Sequence, residues 1–320
     1  MSERQDSAAI IPAEGKIAVE KFPPPSLLKI LAAHAAWLSG NPQGAQADLS
    51  GLTLNEMRLD GVNLKKAILK SATFLESYLS SADLSGTTLE HADLQNAILS
   101  GADFSEANLT GAKFAFAWIS GGGFSDAVLH STNFEKAHLQ QSRFLSSTVQ
   151  QTNFRNVDAR KATFHQARLS ESDFSGANLE EAVFYRARLQ HCRFHSATAA
   201  DINFTAANIV NSDFTLADLK RGKFNQAHVN RSCFYKAMLL DADFREAHLR
   251  HSDFSRAQLS GARLGKADLL GADLRGANLK GAREFTAEQL TQAFTDEKTI
   301  LPNGARGPYL RHSGAERINR

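Results

Sequence analysis

An apolar residue returns at every fifth position from "ADLSG" at Ala47 to "ANLKG" ending at Gly281, shrinking only at Ala159 and Ala199. Two places before each centre stands a small side chain, usually Ala, Ser or Thr, with larger exceptions at Leu52, Met57, Val62, Val157 and Ile202. A period of five fits neither the 3.6 of an α-helix nor the 3.5 of a coiled coil. Gly, Asn, Asp and Ser crowd the last two places of each pentad, as turn formers would. Each pentad therefore reads as a short extended side, with its small and central residues facing inward, followed by a bend.

A second period, of ten, lies on the first. Phe occupies every second centre at Phe104, Phe114, Phe124, Phe134, Phe144, Phe154, Phe164, Phe174, Phe184, Phe194, Phe204, Phe214, Phe224, Phe234, Phe244 and Phe254, while Leu or a smaller residue fills the alternate centres. If four pentads close one 20-residue coil, Phe stacks on Phe along two opposite walls and Leu on Leu along the other two. Every layer then has the same volume, as a close-packed interior requires. With strands spaced at roughly 4.8 Å, about 12 coils make a rod on the order of 55 Å long.

The string A(D/N)LXX, as in "ADLSG", "ANLTG", "ADLLG", "ADLRG" and "ANLKG", resembles the pentapeptide-repeat family. The resemblance implies an all-β solenoid over residues 45–284: a right-handed quadrilateral β-helix with the centre and the small residue inside and the other three outside. Handedness and the square cross-section come from the resemblance alone.

Outward residues 20 apart should be neighbours, and their charges tend to alternate. Asp173, Arg193 and Asp213 do so, as do Lys223, Asp243 and Arg263, and Asp201, Arg221 and Asp241. Lys161 with Glu181, Glu135 with Arg155, and Glu246 with Lys266 add pairs, whereas Arg168 with Arg188 and Asp253 with Asp273 run against the trend. The same map places Cys192 and Cys233 two coils apart, roughly 10 Å, beyond the approximately 7 Å that a disulfide spans between Cα atoms. Both are expected to be free thiols.

A stack of open coils needs closing at its ends. Residues 25–44 supply a helix, with Ser26 as its expected cap, Leu27, Leu28, Leu31 and Leu38 as its apolar face and Gly40 ending it. A second helix is expected in 285–300, with Thr286 and Gln289 forming a capping box, Phe285 and Leu290 a hydrophobic staple, and Leu290 and Phe294 sharing one face. Residues 1–24 and 301–320 show no pattern and are expected to be a disordered segment and a flexible basic tail.

A net charge of +2, 42% hydrophobic and 22% charged residues describe a folded chain without the charge excess of a nucleic-acid binder. No apolar run approaches the roughly 18 residues of a membrane span, and a cytoplasmic location is the default. No catalytic motif or phosphate loop appears, and "GGG" at 121–123 falls on a corner, a small slot and an outward position of the repeat. No cofactor is expected. His228, His248 and His251 could approach one another, but tetrahedral zinc needs three or four ligands at about 2 Å, and solvated histidines are the simpler reading. The departure from the polar surface is one outward column, Tyr78, Ile98, Trp118 and His138, with Phe116 at the adjacent corner. Such a stripe suits a protein partner, although a lid or tail could cover it instead. The expected function is a non-catalytic interaction scaffold, either a monomer or an end-to-end homodimer through a cap. Two other readings are a DNA-mimicking protector of gyrase, from which this balanced charge departs, and a secreted bacterial effector.

Overall fold

In a computed structural model of the protein, residues 21–317 are described. Each bend is a tight turn with one left-handed residue. At Leu69–Ala72 the Ala72 N–H donates to the Leu69 carbonyl at 3.1 Å, and Ser71 between them has φ 55°. That is a type II pattern, which favours Gly at its third place. Gly101 (φ 69°) holds the equivalent corner, but so do Glu106 (φ 61°), Lys161 (φ 59°) and many other residues with side chains. Each such corner is disfavoured by about 1 kcal/mol or more and is held by the coils on either side.

The sides of successive coils pair in parallel with a step of 20, from Asp48 with Ile68 through Gln258 with Asn278. On one wall the pairing broadens into a five-stranded sheet: β1 (Val128–His130), β2 (Thr148–Gln150), β3 (Arg168–Ser170), β4 (Arg188–Gln190) and β5 (Asn208–Val210). The small slot that follows this wall changes its hydrogen bonding along the rod. Where it holds Ala72, Ala92 or Ala112, its N–H folds back to the preceding centre at 2.9–3.1 Å. At Thr152, Cys192 and Ser212 the N–H instead donates to a hydroxyl one coil on, that of Ser172, Ser212 and Ser232 respectively, at 3.2–3.4 Å. Ser232 donates likewise to Ser252 at 3.3 Å with no strand before it, so release from the turn accompanies the sheet and does not alone set its extent.

Inside, the Phe walls form as the period of ten predicts. Phe104 and Phe124 stack with centroids 5.0 Å apart, and Phe114 from the opposite wall meets them edge-on at 5.5 and 6.4 Å. Both arrangements suit the aromatic quadrupole. Volume is conserved where the pattern lapses. Ala159 is accompanied by buried Val157 and Ala199 by buried Ile202, and one coil beyond Ile202 stands Gly222, where an added Cβ would lie 3.0 Å from Phe224 and 3.5 Å from Ile202.

The caps differ from the sequence expectation in detail. Helix α1 (Pro25–Leu38) begins at Pro25 with Pro24 as N-cap, and Ser26 caps nothing. Proline suits the first turn, where no N–H partner is needed. Leu27 and His34 are its buried residues, with Ile30 and Leu31 against the core, while Leu28 is 51% exposed. Gly40 (φ 79°) closes it as foreseen, with Gly40 N–H donating to Trp37 and Asn41 N–H to Ala36. Gly44 then passes so close that a Cβ there would lie 2.1 Å from the Trp37 backbone nitrogen.

At the other end the capping box of Thr286 and Gln289 is present, but helix α2 spans only Ala287–Gln292. Phe294 is not on its face; it bridges Asp273 in the ladder and is 60% exposed. Ile300 likewise pairs with Asn278, so much of 285–300 finishes the last coil. The expected flexible tail is folded through 317: Leu301 and Ala315 are buried, Tyr309 packs on the core, and its hydroxyl donates to Glu316 at 3.0 Å. These few apolar residues lacked the fivefold spacing that marked the rest. Of the N-terminal segment expected to be disordered, residues 1–20 lie outside the described residues, while Lys21 pairs with Met57.

The charge ladder forms in part. Arg221 reaches Asp201 at 2.5 Å, Lys161 reaches Glu181 at 3.6 Å, and Arg193 reaches Asp173 at 3.7 Å. Arg155, however, joins Asp173 instead of Glu135, and Asp243 takes Arg245 on its own coil at 2.6 Å. A residue two places along lies on the same wall, and sequence spacing of 20 did not weigh that competitor.

Candidate functional site

The surface column predicted from sequence stands on the wall of Ile119, opposite the β1–β5 sheet. Parallel bridges join Tyr78 to Ile98, Ile98 to Trp118 and Trp118 to His138, so the four residues form one continuous file, each half-buried. The rings of Trp118 and His138 stack at 3.7 Å and 10°. Burial holds the His138 imidazole below its ordinary pKa, although nearby Asp158 pulls the other way. The neutral ring is thus favoured, and it extends the apolar strip.

Phe116 occupies the neighbouring corner with φ 61°, a left-handed place held mostly by Gly or polar residues, and is 47% exposed. The Lys136 ammonium lies 5.3 Å from its ring centroid. Ser80, Ser100 and Ser120 form the parallel file on the same wall. Sequence reasoning passed over these serines and Lys136, although the serines recur at the coil spacing. Ion pairs bound the strip: Arg58 with Asp60 at 3.4 Å below, and Asp158 with Arg160 at 2.7 Å above.

The other candidates separate. His228 and His248 stack at 4.4 Å, yet among the described residues no group of three His, Cys, Asp or Glu is placed to hold a metal. Cys192 and Cys233 are both free; Cys192 lies in the core, where burial pushes its thiol up to about 11. Among the described residues no helix is long and apolar enough to cross a membrane.

The most similar solved structures include HetL, a pentapeptide repeat protein involved in heterocyst differentiation regulation in Nostoc sp. strain PCC 7120, 24% identical over 85% of this chain and 96% of that one, TM-score 0.25. A thylakoid-lumen pentapeptide repeat protein of Arabidopsis thaliana is 29% identical over 36% and 69%, TM-score 0.25. QnrB1, a plasmid-mediated fluoroquinolone resistance protein, is 16% identical over 74% and 84%, TM-score 0.24. None of the curated proteins compared matches the chain. The family model for pentapeptide repeats matches in 8 copies, over 47–86, 87–122, 124–158, 146–176, 162–198, 234–264 and 252–283. Those matches take in more than half of the sequence, and the chain belongs to the pentapeptide-repeat family.

Proposed function

We propose that the protein is a non-catalytic interaction scaffold that presents the Tyr78, Ile98, Trp118 and His138 file, with Phe116 beside it, to a protein partner. The reading rests on one observation: an uncharged file holding Tyr78, Ile98 and Trp118 in consecutive coils, with an exposed Phe on a left-handed corner at its edge. Large aromatic side chains ringed by small polar ones are the usual anchors of protein interfaces. The setting we propose is cytoplasmic, where the two thiols stay reduced.

A pull-down comparing wild type with the Phe116→Ala/Trp118→Ala double variant tests the reading. The variant should keep the wild-type unfolding midpoint and lose the proteins that wild type retains. Recovery of the same proteins by both would overturn it. Gyrase protection by DNA mimicry lacks support from the charge, since a net charge of +2 leaves no acidic excess to imitate a duplex. Gyrase supercoiling should therefore be unaffected by an excess of the protein.

A further inference from the structure

On the wall opposite Trp118, strands β2 to β5 carry a groove of about 400 Å³. Its polar lining includes Gln150, Arg168, Ser170, Arg188, Gln190 and Asn208, with no carboxylate among the lining residues. Arg168 and Arg188 face each other in parallel register, and a second recess continues the surface to Arg186 at the corner. All three arginines are exposed. Arg186 rests over the Tyr185 ring at 5.1 Å, and among the described residues none of the three forms an ion pair.

Elsewhere several basic residues are held by a carboxylate two places away on the same wall. Asp158 holds Arg160, Asp218 holds Lys220, Asp243 holds Arg245 and Asp273 holds Arg275. On the groove wall the positions that would carry such carboxylates hold Ser, Gln and Asn. Arg168 and Arg188 sit in adjacent register at a ladder spacing of roughly 4.8 Å with no ion-pair partner among the described residues, so their like charges repel, and an anion between them would relieve that repulsion.

We infer that the Arg168–Arg188 groove is a docking site for an acidic, extended polypeptide segment. The backbone groups of the sheet are spent between coils, so a partner there is read through side chains and not by strand addition. Guanidinium binds carboxylate through paired hydrogen bonds. An extended chain lying along the rod axis sets alternate side chains about 6.6 Å apart, within reach of two splayed arginines. The flanking amides and hydroxyls can both donate to and accept from a peptide backbone. A nucleic-acid duplex fits less well, because its binders typically neutralise on the order of 6–10 phosphates, and here Glu171 and Asp126 border the three arginines. The inference stands apart from the Trp118 file, which occupies the opposite wall.

The test is fluorescence anisotropy with a labelled peptide of alternating Glu and Gly, its Gln counterpart, and a single-stranded oligonucleotide. Wild type should bind the Glu peptide, weaken as salt rises, and ignore the Gln peptide. Arg168→Gln/Arg188→Gln should weaken binding by at least about tenfold without lowering the unfolding midpoint, since it removes a repulsion. Arg275→Gln, on another wall, and Trp118→Ala should bind as wild type does. Failure to bind the Glu peptide, equal binding by the double variant, or tighter Arg168-dependent binding of the oligonucleotide would overturn the inference.

Discussion

A pentad needs one inward residue of fixed volume and one corner that tolerates a left-handed backbone, and the chain meets the two demands differently. The first is met by strict composition. Phe184 is fully buried, stacked on Phe164 at 4.5 Å and Phe204 at 5.0 Å, and met edge-on by Phe174 and Phe194. Phe184→Ala should cost about 3–5 kcal/mol in denaturant unfolding, because neighbours fixed by their own backbone ladder cannot collapse into the space. A loss below about 1 kcal/mol would mean that the coils relax freely. The inward positions were legible because burial enforces a repeated volume. The corners were legible only as turns: Glu, Lys, Ser and Phe all occupy the left-handed place, so composition does not announce it, and the paired hydrogen bonds between coils hold it. Likewise the hydroxyls of Ser212 and Ser232 looked interchangeable with Ala, yet they accept backbone N–H groups from the coil before.

The elements that close the rod follow another logic, since each must satisfy a last open layer. Helix α1 does so through Leu27 and through His34, whose Nδ1 accepts the Ala47 N–H at 3.0 Å. Helix α2 does so through Gln289, whose amide donates to the carbonyls of Leu264 at 2.6 Å and Ala267 at 2.9 Å while its oxygen accepts the Thr286 N–H. Gln289→Ala leaves the buried Ala267 carbonyl without a donor, strips the Leu264 carbonyl of one of its two, and breaks the capping box, so a loss of about 2 kcal/mol is expected. Hydrogen exchange should quicken first in 286–317, and uniform quickening along the rod would contradict a local role for Gln289. The capping box was readable from Thr286 and Gln289 because its spacing is fixed by the helix itself. The inward reach of Gln289, and the packing of Tyr309 over the end, depend on contacts between distant segments and left no local signal.

For the whole molecule, pH acts through groups dispersed along the axis. Burial holds His34, His138 and His228 below the ordinary imidazole value, with His248 also opposing the charge on His228. As pH falls through about 6.5 the unfolded chain takes up these protons before the folded one does, so stability declines from there. Asp158, Asp173, Asp243 and Asp273 lie below the usual carboxylate range, held there by hydrogen bonds and neighbouring arginines. Their share is present above about 3.9 and is lost as pH falls further. Urea midpoints should therefore drop in two stages, and a flat response between pH 8 and 5 would refute the first. The 20-residue step also works as a graduated scale. Duplicating one pentad would swing everything above it by a quarter of the perimeter, setting Phe over Leu and parting Trp118 from His138, whereas duplicating a full coil leaves every file aligned. This architecture can change its reach without changing its faces only in increments of twenty residues.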